Sequence, residues 1–333
     1  MFWLGVMIGG PLVLIGSLSA GRYGIPFSHV VAILVSHVAP LEVSWSLPEQ
    51  RVVELVRLPR VLAACLAGAG LAISGASLQG VFRNPLVGPQ IIGVSSGAAF
   101  GGALAILLFG SVGITVAFAF AGGLLAIAVV YLMSRISGRA PILLLVLAGV
   151  VTSAFFSALI SLIKYVADPD NKLPAIVYWL MGSFASIGWP DLAVLLGPVA
   201  LGGALIYGLR FRINVLSLGE EEAQALGIPV ERTRWLILGA VALISAAVVA
   251  VAGVVGWVGL VVPHFARMLV GPDHKALLPA AAAVGALYLV LIDDVARTAT
   301  AAEIPLGIIT AIIGAPVFAV LLRRIHAGGW RHD

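Results

Sequence analysis

About ten apolar stretches, each long enough to cross a lipid bilayer, take up most of this 333-residue chain. A helix needs about 20 mostly apolar residues to span the hydrocarbon core, and its backbone groups must bond within the helix because lipid offers them no partner. Hydrophobic residues make up 61% of the chain and charged residues 10%, whereas a soluble domain holds roughly 45–50% and 25%. The pattern predicts an all-α, polytopic membrane protein with a single transmembrane domain over residues 1–333.

The predicted spans follow one another with short connections. The seventh and eighth are the hardest to separate, because Gly253, Gly256 and Gly259 blur the break between them. An even number of spans places both termini on the same side of the membrane. The ten spans lie near residues 2–20, 58–80, 89–109, 113–133, 141–163, 190–209, 235–255, 256–270, 277–296 and 305–322.

Small residues within the spans indicate how the helices pack. Helices in lipid associate where small side chains let the backbones approach, since no hydrophobic drive brings them together. The second span carries Gly68 and Gly75, and the third carries Gly97 and Gly101 as a GxxxG pair. The single Cys65 is expected to be a small core residue, so no disulfide is predicted.

The basic residues predict the orientation, because Lys and Arg are retained in the cytoplasm. With both termini inside, 12 of the 19 basic residues are cytoplasmic: Arg83, Arg135, Arg139, Arg210, Arg212, Arg232, Arg234, Arg267, Lys275, Arg323, Arg324 and Arg331. The other seven lie outside: Arg22, Arg51, Arg57, Arg60, Lys164, Lys172 and Arg297. This topology explains the net charge of +4 without nucleic-acid binding.

The stretch from Ser17 to Ala20 resembles a signal-peptide cleavage site, but no basic residue precedes it, so we expect the first span to be retained.

A polar cytoplasmic segment, FRINVLSLGEEEAQALGIPVERTR at 211–234, interrupts the apolar pattern. Ser217, three residues before Glu220, predicts a capping box, and Gly227 is expected to end the helix. A helix of about nine residues is marginal alone in water, so we expect it to pack on a protein partner. An interfacial helix resting on lipid is the alternative, which three glutamates facing anionic headgroups make less favourable.

The chain carries no recognisable catalytic or nucleotide-binding motif. It contains no GxxxxGK[ST] loop, so we expect any ATP hydrolysis to reside on another protein, and it contains no HExxH, GxSxG or Cys/His metal motif. We therefore predict a protein that is not an enzyme and has no cofactor or metal site. The six histidines are interpreted as surface residues of loops and span ends.

Six sequence blocks in one order carry a resemblance to a known family. The chain resembles the permease subunits of bacterial type II ABC importers for ferric siderophores, haem and cobalamin, over nearly its whole length. The blocks are RLPR at 57–60, AGAGLAISGASLQGVFRNPLVGPQIIGVSSGAAFG at 67–101, YWLMGSF at 178–184, LGEEEAQALGIP at 218–229, GLVVPHFAR at 259–267 and DDVARTATAAEIPLGIITAIIGAPVFAVLL at 293–322.

The resemblance implies a transmembrane permease domain that dimerises around a central pathway in the bacterial inner membrane. The second permease is a copy of this chain or a paralogue. Two cytoplasmic ATPase subunits and a periplasmic substrate-binding protein complete the importer. The substrate implied is a ferric siderophore or related iron chelate first, haem second and cobalamin third.

The resemblance also implies roles for particular residues. The coupling helix that docks on the ATPase lies within about 215–228 and carries Leu218, Gly219, Glu220, Glu221, Ala223, Leu226 and Gly227. The turn with Asn84 and Leu86 forms the cytoplasmic gate. Arg57, Arg60 and Arg297 meet acidic residues of the binding protein, because guanidinium groups pair well with carboxylates.

Purely structural pairs are the alternative for these outer arginines. Arg57 lies three residues after Glu54, and Arg297 lies one turn after Asp293 and Asp294, spacings at which helical side chains meet. The role of the two aspartates is left open. They also bear on the alternative function, an ion-gradient-driven secondary transporter, since such transporters place acids deep in the membrane and these are the only candidates.

Overall fold

The computed structural model of the protein describes residues 2–40, 42–134 and 141–329, and all regular structure there is helical. Arg135, Arg139 and Arg331 of the predicted cytoplasmic set lie outside the described residues. The α-helices are α1 (Phe2–Ser19), α2 (Phe27–Ser36), α3 (Leu47–Arg51), α4 (Leu58–Val81), α5 (Val94–Leu108), α6 (Val112–Ser134), α7 (Ile142–Val166), α8 (Lys172–Leu180), α9 (Trp189–Gly208), α10 (Arg210–Leu216), α11 (Glu220–Ala225), α12 (Val230–Ala252), α13 (Val258–Val270), α14 (His274–Thr298) and α15 (Leu306–Gly329).

Each of the ten predicted spans matches one of these helices. Seven helical stretches in the described part of the chain are long and apolar enough to cross a membrane. Shorter apolar helices account for the other three spans: α5, α13 and the first part of α15, Leu306–Val320. The protein is a multi-pass helical membrane protein, as predicted.

Two boundaries differ from or refine the prediction. The second span was expected to begin near 58, but α3, a π-helical turn over Val52–Arg57 and α4 form one helical stretch of 35 residues, Leu47–Val81. The predicted break near Gly253 is present, because Gly253 and Trp257 adopt positive φ angles of 71° and 69° between α12 and α13. With only 13 residues, α13 extends about 20 Å at 1.5 Å per residue.

Helices α4 and α12 occupy the centre of the fold. In each of them 72% of the most apolar 18-residue stretch is buried, whereas the corresponding share is 28% in α6, α7 and α9. The glycines of α4 explain its position, since a Cβ at Gly68 would lie 2.1 Å from Gly285 O and one at Gly75 would lie 1.7 Å from Gly259 O. Small residues thus bring α4 into backbone contact with α13 and α14.

We expect Gly75→Ala to destabilise the protein by about 2 kcal/mol, because the added methyl group meets rigid backbone and forces the helices apart. Gly239→Ala in α12 is the matched control, since a Cβ there meets no atom within 4 Å. Thermal unfolding in detergent measures both variants. Equal melting temperatures for the two would contradict the close packing described above.

Candidate functional site

The segment between α9 and α12, which the sequence predicts to be cytoplasmic, folds as two short helices, α10 and α11. The predicted capping box is wrong, because Ser217 Oγ donates to Asn214 O at 2.6 Å and Gly219 occupies the N-cap of α11. As a result α11 has six residues instead of the expected nine. Its predicted end is confirmed: Gly227 has a φ of 74°, and Ile228 N–H donates to Ala223 O at 2.9 Å, as in a Schellman motif.

One side of α11 is fixed to the protein and the other is open. Ala223 is fully buried, and Glu220 pairs with Arg234 of α12, whose side chain is buried. Leu218 and Leu226 are 66% and 64% exposed, and Glu221 between them is exposed as well. The segment therefore exposes two large apolar side chains and one carboxylate, while α11 itself is attached to the rest of the protein through Ala223 and Glu220.

The turn after α4 is held by the last carbonyls of that helix. Arg83 N–H donates to Gly80 O at 3.3 Å and Asn84 N–H donates to Gln79 O at 3.2 Å. Arg83 has a φ of 50°, which is uncommon for a residue with a side chain. Asn84 Oδ1 accepts from Leu86 N–H at 2.9 Å, so the Asn84 side chain shapes the predicted gate turn.

Leu86 lines a cavity of about 250 Å³ between this turn and the start of α13. Pro89, Trp257, Gly259 and Phe318 also line it. The rings of Trp257 and Phe318 pack edge to face with centroids 6.0 Å apart. The predicted gate turn and the break between α12 and α13 therefore share one mostly apolar cavity.

The three outer arginines are all buried, with 4% of Arg57, 6% of Arg60 and 5% of Arg297 exposed. The structural alternative expected Arg57 to pair with Glu54, but Arg57 has other partners. Its guanidinium donates to Leu18 O at 2.7 Å, to Ser19 O at 3.0 Å and to the Tyr23 carbonyl.

Arg297 bonds the same helix end as Arg57. Its guanidinium pairs with Asp294, as the spacing predicted, and also donates to the carbonyl and hydroxyl of Ser17. The last carbonyls of a helix have no partner within the helix. Arg57 and Arg297 supply those partners at the end of α1.

Arg60 joins α4 to α14 and to the loop before α15. Its Nε and Nη2 donate to the two oxygens of Asp293, both at 2.8 Å, and its Nη1 and Nη2 donate to Glu303 at 3.0 and 2.8 Å. Burial acts to raise the pKa of Glu303, but the bonds and positive charge of Arg60 outweigh it and the pKa is lowered. Asp293 and Asp294 thus serve as partners of buried arginines.

Sequence reasoning missed Glu303 and misjudged one histidine. Glu303 is 243 residues from Arg60 in the chain, and its only signal was its place in the last of the six blocks. His274 was expected at the surface, but only 4% of it is exposed. Within the described ranges, no group of three or more His, Cys, Asp or Glu side chains is arranged to hold a metal ion.

These features place the chain among polytopic membrane proteins with a short helix attached between two spans and a turn that lines a cavity. The chain matches the FecCD transport family over residues 11–324, and it belongs to that family. It is 46% identical to the molybdate import system permease protein MolB of Haemophilus influenzae, over 94% of this chain and 92% of the relative. It is 44% identical to the cobalamin import system permease protein BtuC of Halobacterium salinarum, over 88% and 79%.

A solved structure supports the same assignment. The fold matches an inward-facing conformation of a metal-chelate type ABC transporter with a TM-score of 0.86 and 44% sequence identity, over 96% of this chain and 98% of the other. The protein is therefore an ABC importer permease of the FecCD family.

We expect Asp293→Asn to lower the free energy of unfolding by about 3 kcal/mol, because it leaves Arg60 buried with less compensating charge. The exposed Asp170 provides the matched control, and Asp170→Asn should change stability by less than about 0.5 kcal/mol. Chemical denaturation in detergent compares the two. A loss as small in Asp293→Asn as in the control would show that the buried pair does not stabilise the protein.

Proposed function

We propose that this chain is the membrane-spanning subunit of a binding-protein-dependent importer in the bacterial cytoplasmic membrane, with both termini in the cytoplasm. Two permeases, identical or paralogous, form the pathway, and two ATPase subunits drive it from the cytoplasmic side. The observation that carries this proposal is the surface formed by Leu218, Glu221 and Leu226, which are exposed on α11 and at its two ends, while the other side of α11 is fixed to α12. Such a surface suits docking to a partner protein.

The substrate proposed is a metal-containing solute. The names of relatives in this family cover molybdate, cobalamin, iron chelate and haemin. A ferric siderophore or related iron chelate is placed first, ahead of haem and cobalamin. Molybdate, which the sequence alone did not suggest, joins these candidates because of the MolB relative.

The gradient-driven transporter receives no support. Its two candidate acids, Asp293 and Asp294, both pair with arginines. The bonds to Arg60 and Arg297 account for both carboxylates without a coupling ion.

Reconstitution in liposomes with the neighbouring ATPase and binding protein tests the function. We expect uptake of a ferric siderophore, haem, cobalamin or molybdate that requires both partners and internal ATP. Uptake driven by a proton gradient without the ATPase would overturn the proposal.

In that system Glu221→Arg and Leu226→Glu should each lower transport at least about tenfold while ATP hydrolysis continues, because they change the docking surface without touching the pathway. Asp170→Arg is the matched control, since Asp170 is also exposed but lies in the loop before α8. Wild-type transport in both coupling variants would remove the role given to this surface.

Docking of the binding protein at Arg57, Arg60 and Arg297 stays part of the proposal. Because these arginines are buried, such docking requires that they exchange partners. An acidic residue of the partner must replace a carboxylate or carbonyl that the arginine already bonds. Glu303 is the most accessible of these partners of Arg60, with 23% of its side chain exposed against 1% for Asp293. Docking at Arg60 therefore requires Glu303 to leave.

We expect Glu303→Gln to tighten binding-protein docking about fivefold, because the neutral amide competes less well than a carboxylate for Arg60. Glu42→Gln, at an exposed residue on the same predicted side of the membrane, is the control. Surface plasmon resonance on the detergent-solubilised complex measures both. Docking that is unchanged or weaker in Glu303→Gln would argue against Arg60 as a contact.

A further inference from the structure

A small polar cluster joins the cytoplasmic segment to the start of α14. Asn214 of α10 donates through Nδ2 to Asp273 Oδ1 at 2.6 Å, and its Oδ1 accepts from His274 N–H at 2.9 Å. The same Oδ1 lies 2.7 Å from His274 Nδ1. One amide side chain therefore bonds three groups at the N-terminus of α14.

The chemistry of these neighbours allows one arrangement of the amide. A backbone N–H only donates and a carboxylate only accepts, so the Asn214 oxygen must face His274 and its nitrogen must face Asp273. The ring atom Nδ1 of His274 then carries a proton and donates to Asn214. The Lys275 N–H and the Asn214 amide hold the pKa of Asp273 below its ordinary value, so Asp273 is a carboxylate at neutral pH.

The ring of His274 packs directly against the end of α4. A Cβ at Gly80 would lie 2.6 Å from His274 Nε2 and 2.7 Å from Ile213 Cγ2. Gly80 is thus enclosed by one side chain from α14 and one from α10. Any displacement of α10 relative to α14 changes the space available to this turn of α4.

The same turn of α4 holds the gate. The carbonyls of Gln79 and Gly80 accept from Asn84 and Arg83, the first residues of the gate turn. Gln79 is also bonded on its other side, since its Oε1 accepts from Arg267 of α13 at 3.1 Å. The end of α4 is therefore fixed to α13 through Gln79 and to α10 and α14 through the packing around Gly80.

We propose that Asn214 is a positioning residue that connects the cytoplasmic segment carrying α11 to the end of α4, so that movement of the segment reaches the gate turn. The inference rests on the proposed function, because it assigns the route by which a docked ATPase moves the gate. The second anchor of the segment, Glu220 with Arg234, leads to α12 instead. Asn214 is the polar link on the side of the gate.

The test uses the complete transporter in liposomes and measures substrate transported per ATP hydrolysed. Asn214→Ala should lower this ratio about tenfold, because it removes a charge-assisted bond and both bonds to His274. A merely structural role would lower the melting temperature or the amount of complex without changing the ratio. An unchanged ratio in Asn214→Ala overturns the proposal.

Exchange of the two side chains supplies an internal control. Asn214→Asp places two carboxylates together and should uncouple. Asn214→Asp combined with Asp273→Asn again supplies one donor and one acceptor, but Asp273 Oδ1 also accepts from Lys275 N–H, so the double variant should recover part of the wild-type ratio. The same pair of variants decides the matter if Asn214→Ala does not accumulate. Equal ratios in the single and double variants overturn the proposal.

A second asparagine controls for the substitution itself. Asn171 is exposed before α8 and donates to Asp168 at 2.9 Å, so Asn171→Ala also removes an asparagine–aspartate bond and should leave the ratio unchanged. A fall equal to that of Asn214→Ala would count against the proposal. Failure of the wild-type complex to transport with ATP would instead refute the proposed function, so the two failures are distinguishable.

Discussion

The close approach of α4 to α13 and α14 is the constraint on which the other features depend. Lipid tails are as apolar as leucine, so helices in a membrane are held by packing and polar contacts rather than by exclusion from water. Gly68 and Gly75 permit backbone contact with Gly285 and Gly259. A larger side chain at either position would move α4 away and with it both of its ends.

The two ends of α4 carry residues for which functions are proposed, and the helix between them is continuous. Arg60 near the N-terminal end of α4 and Gly80 near its C-terminal end are separated by about 30 Å at 1.5 Å per residue. Arg60 is held by Asp293, while Gly80 is enclosed by His274. Since α14 begins at His274 and contains Asp293, one pair of packed helices links the ion pairs of Arg60 to the predicted gate turn.

Hydropathy predicted the ten spans because their length and the hydrogen bonds between their own backbone groups depend on local sequence. The end of α11 was also predictable, since Gly227 supplies the left-handed φ locally. The predicted capping box was wrong because the Ser217 hydroxyl donates to Asn214 O, three residues earlier in the chain. The spacing of Ser217 and Glu220 alone does not reveal this competing bond. The pairing of Arg297 with Asp294 was predictable from their spacing, but Ser17 and Glu303 could not be predicted as partners because they are far from the arginines in the sequence and meet them only in the folded bundle.

The outer arginines differ in what their release would leave behind. If Arg60 turned outward, Asp293 would lose both guanidinium hydrogen bonds and keep Arg297 Nε at 4.0 Å, and a buried carboxylate with so little compensation is costly. If Arg297 turned outward, Asp294 would lose its bonded cation in the same way. Arg57 bonds only backbone carbonyls of Leu18, Ser19 and Tyr23, whose loss of a donor costs less than that of a carboxylate. For the proposed docking of an acidic partner, Arg57 is therefore the arginine whose release has the lowest energetic cost of the three.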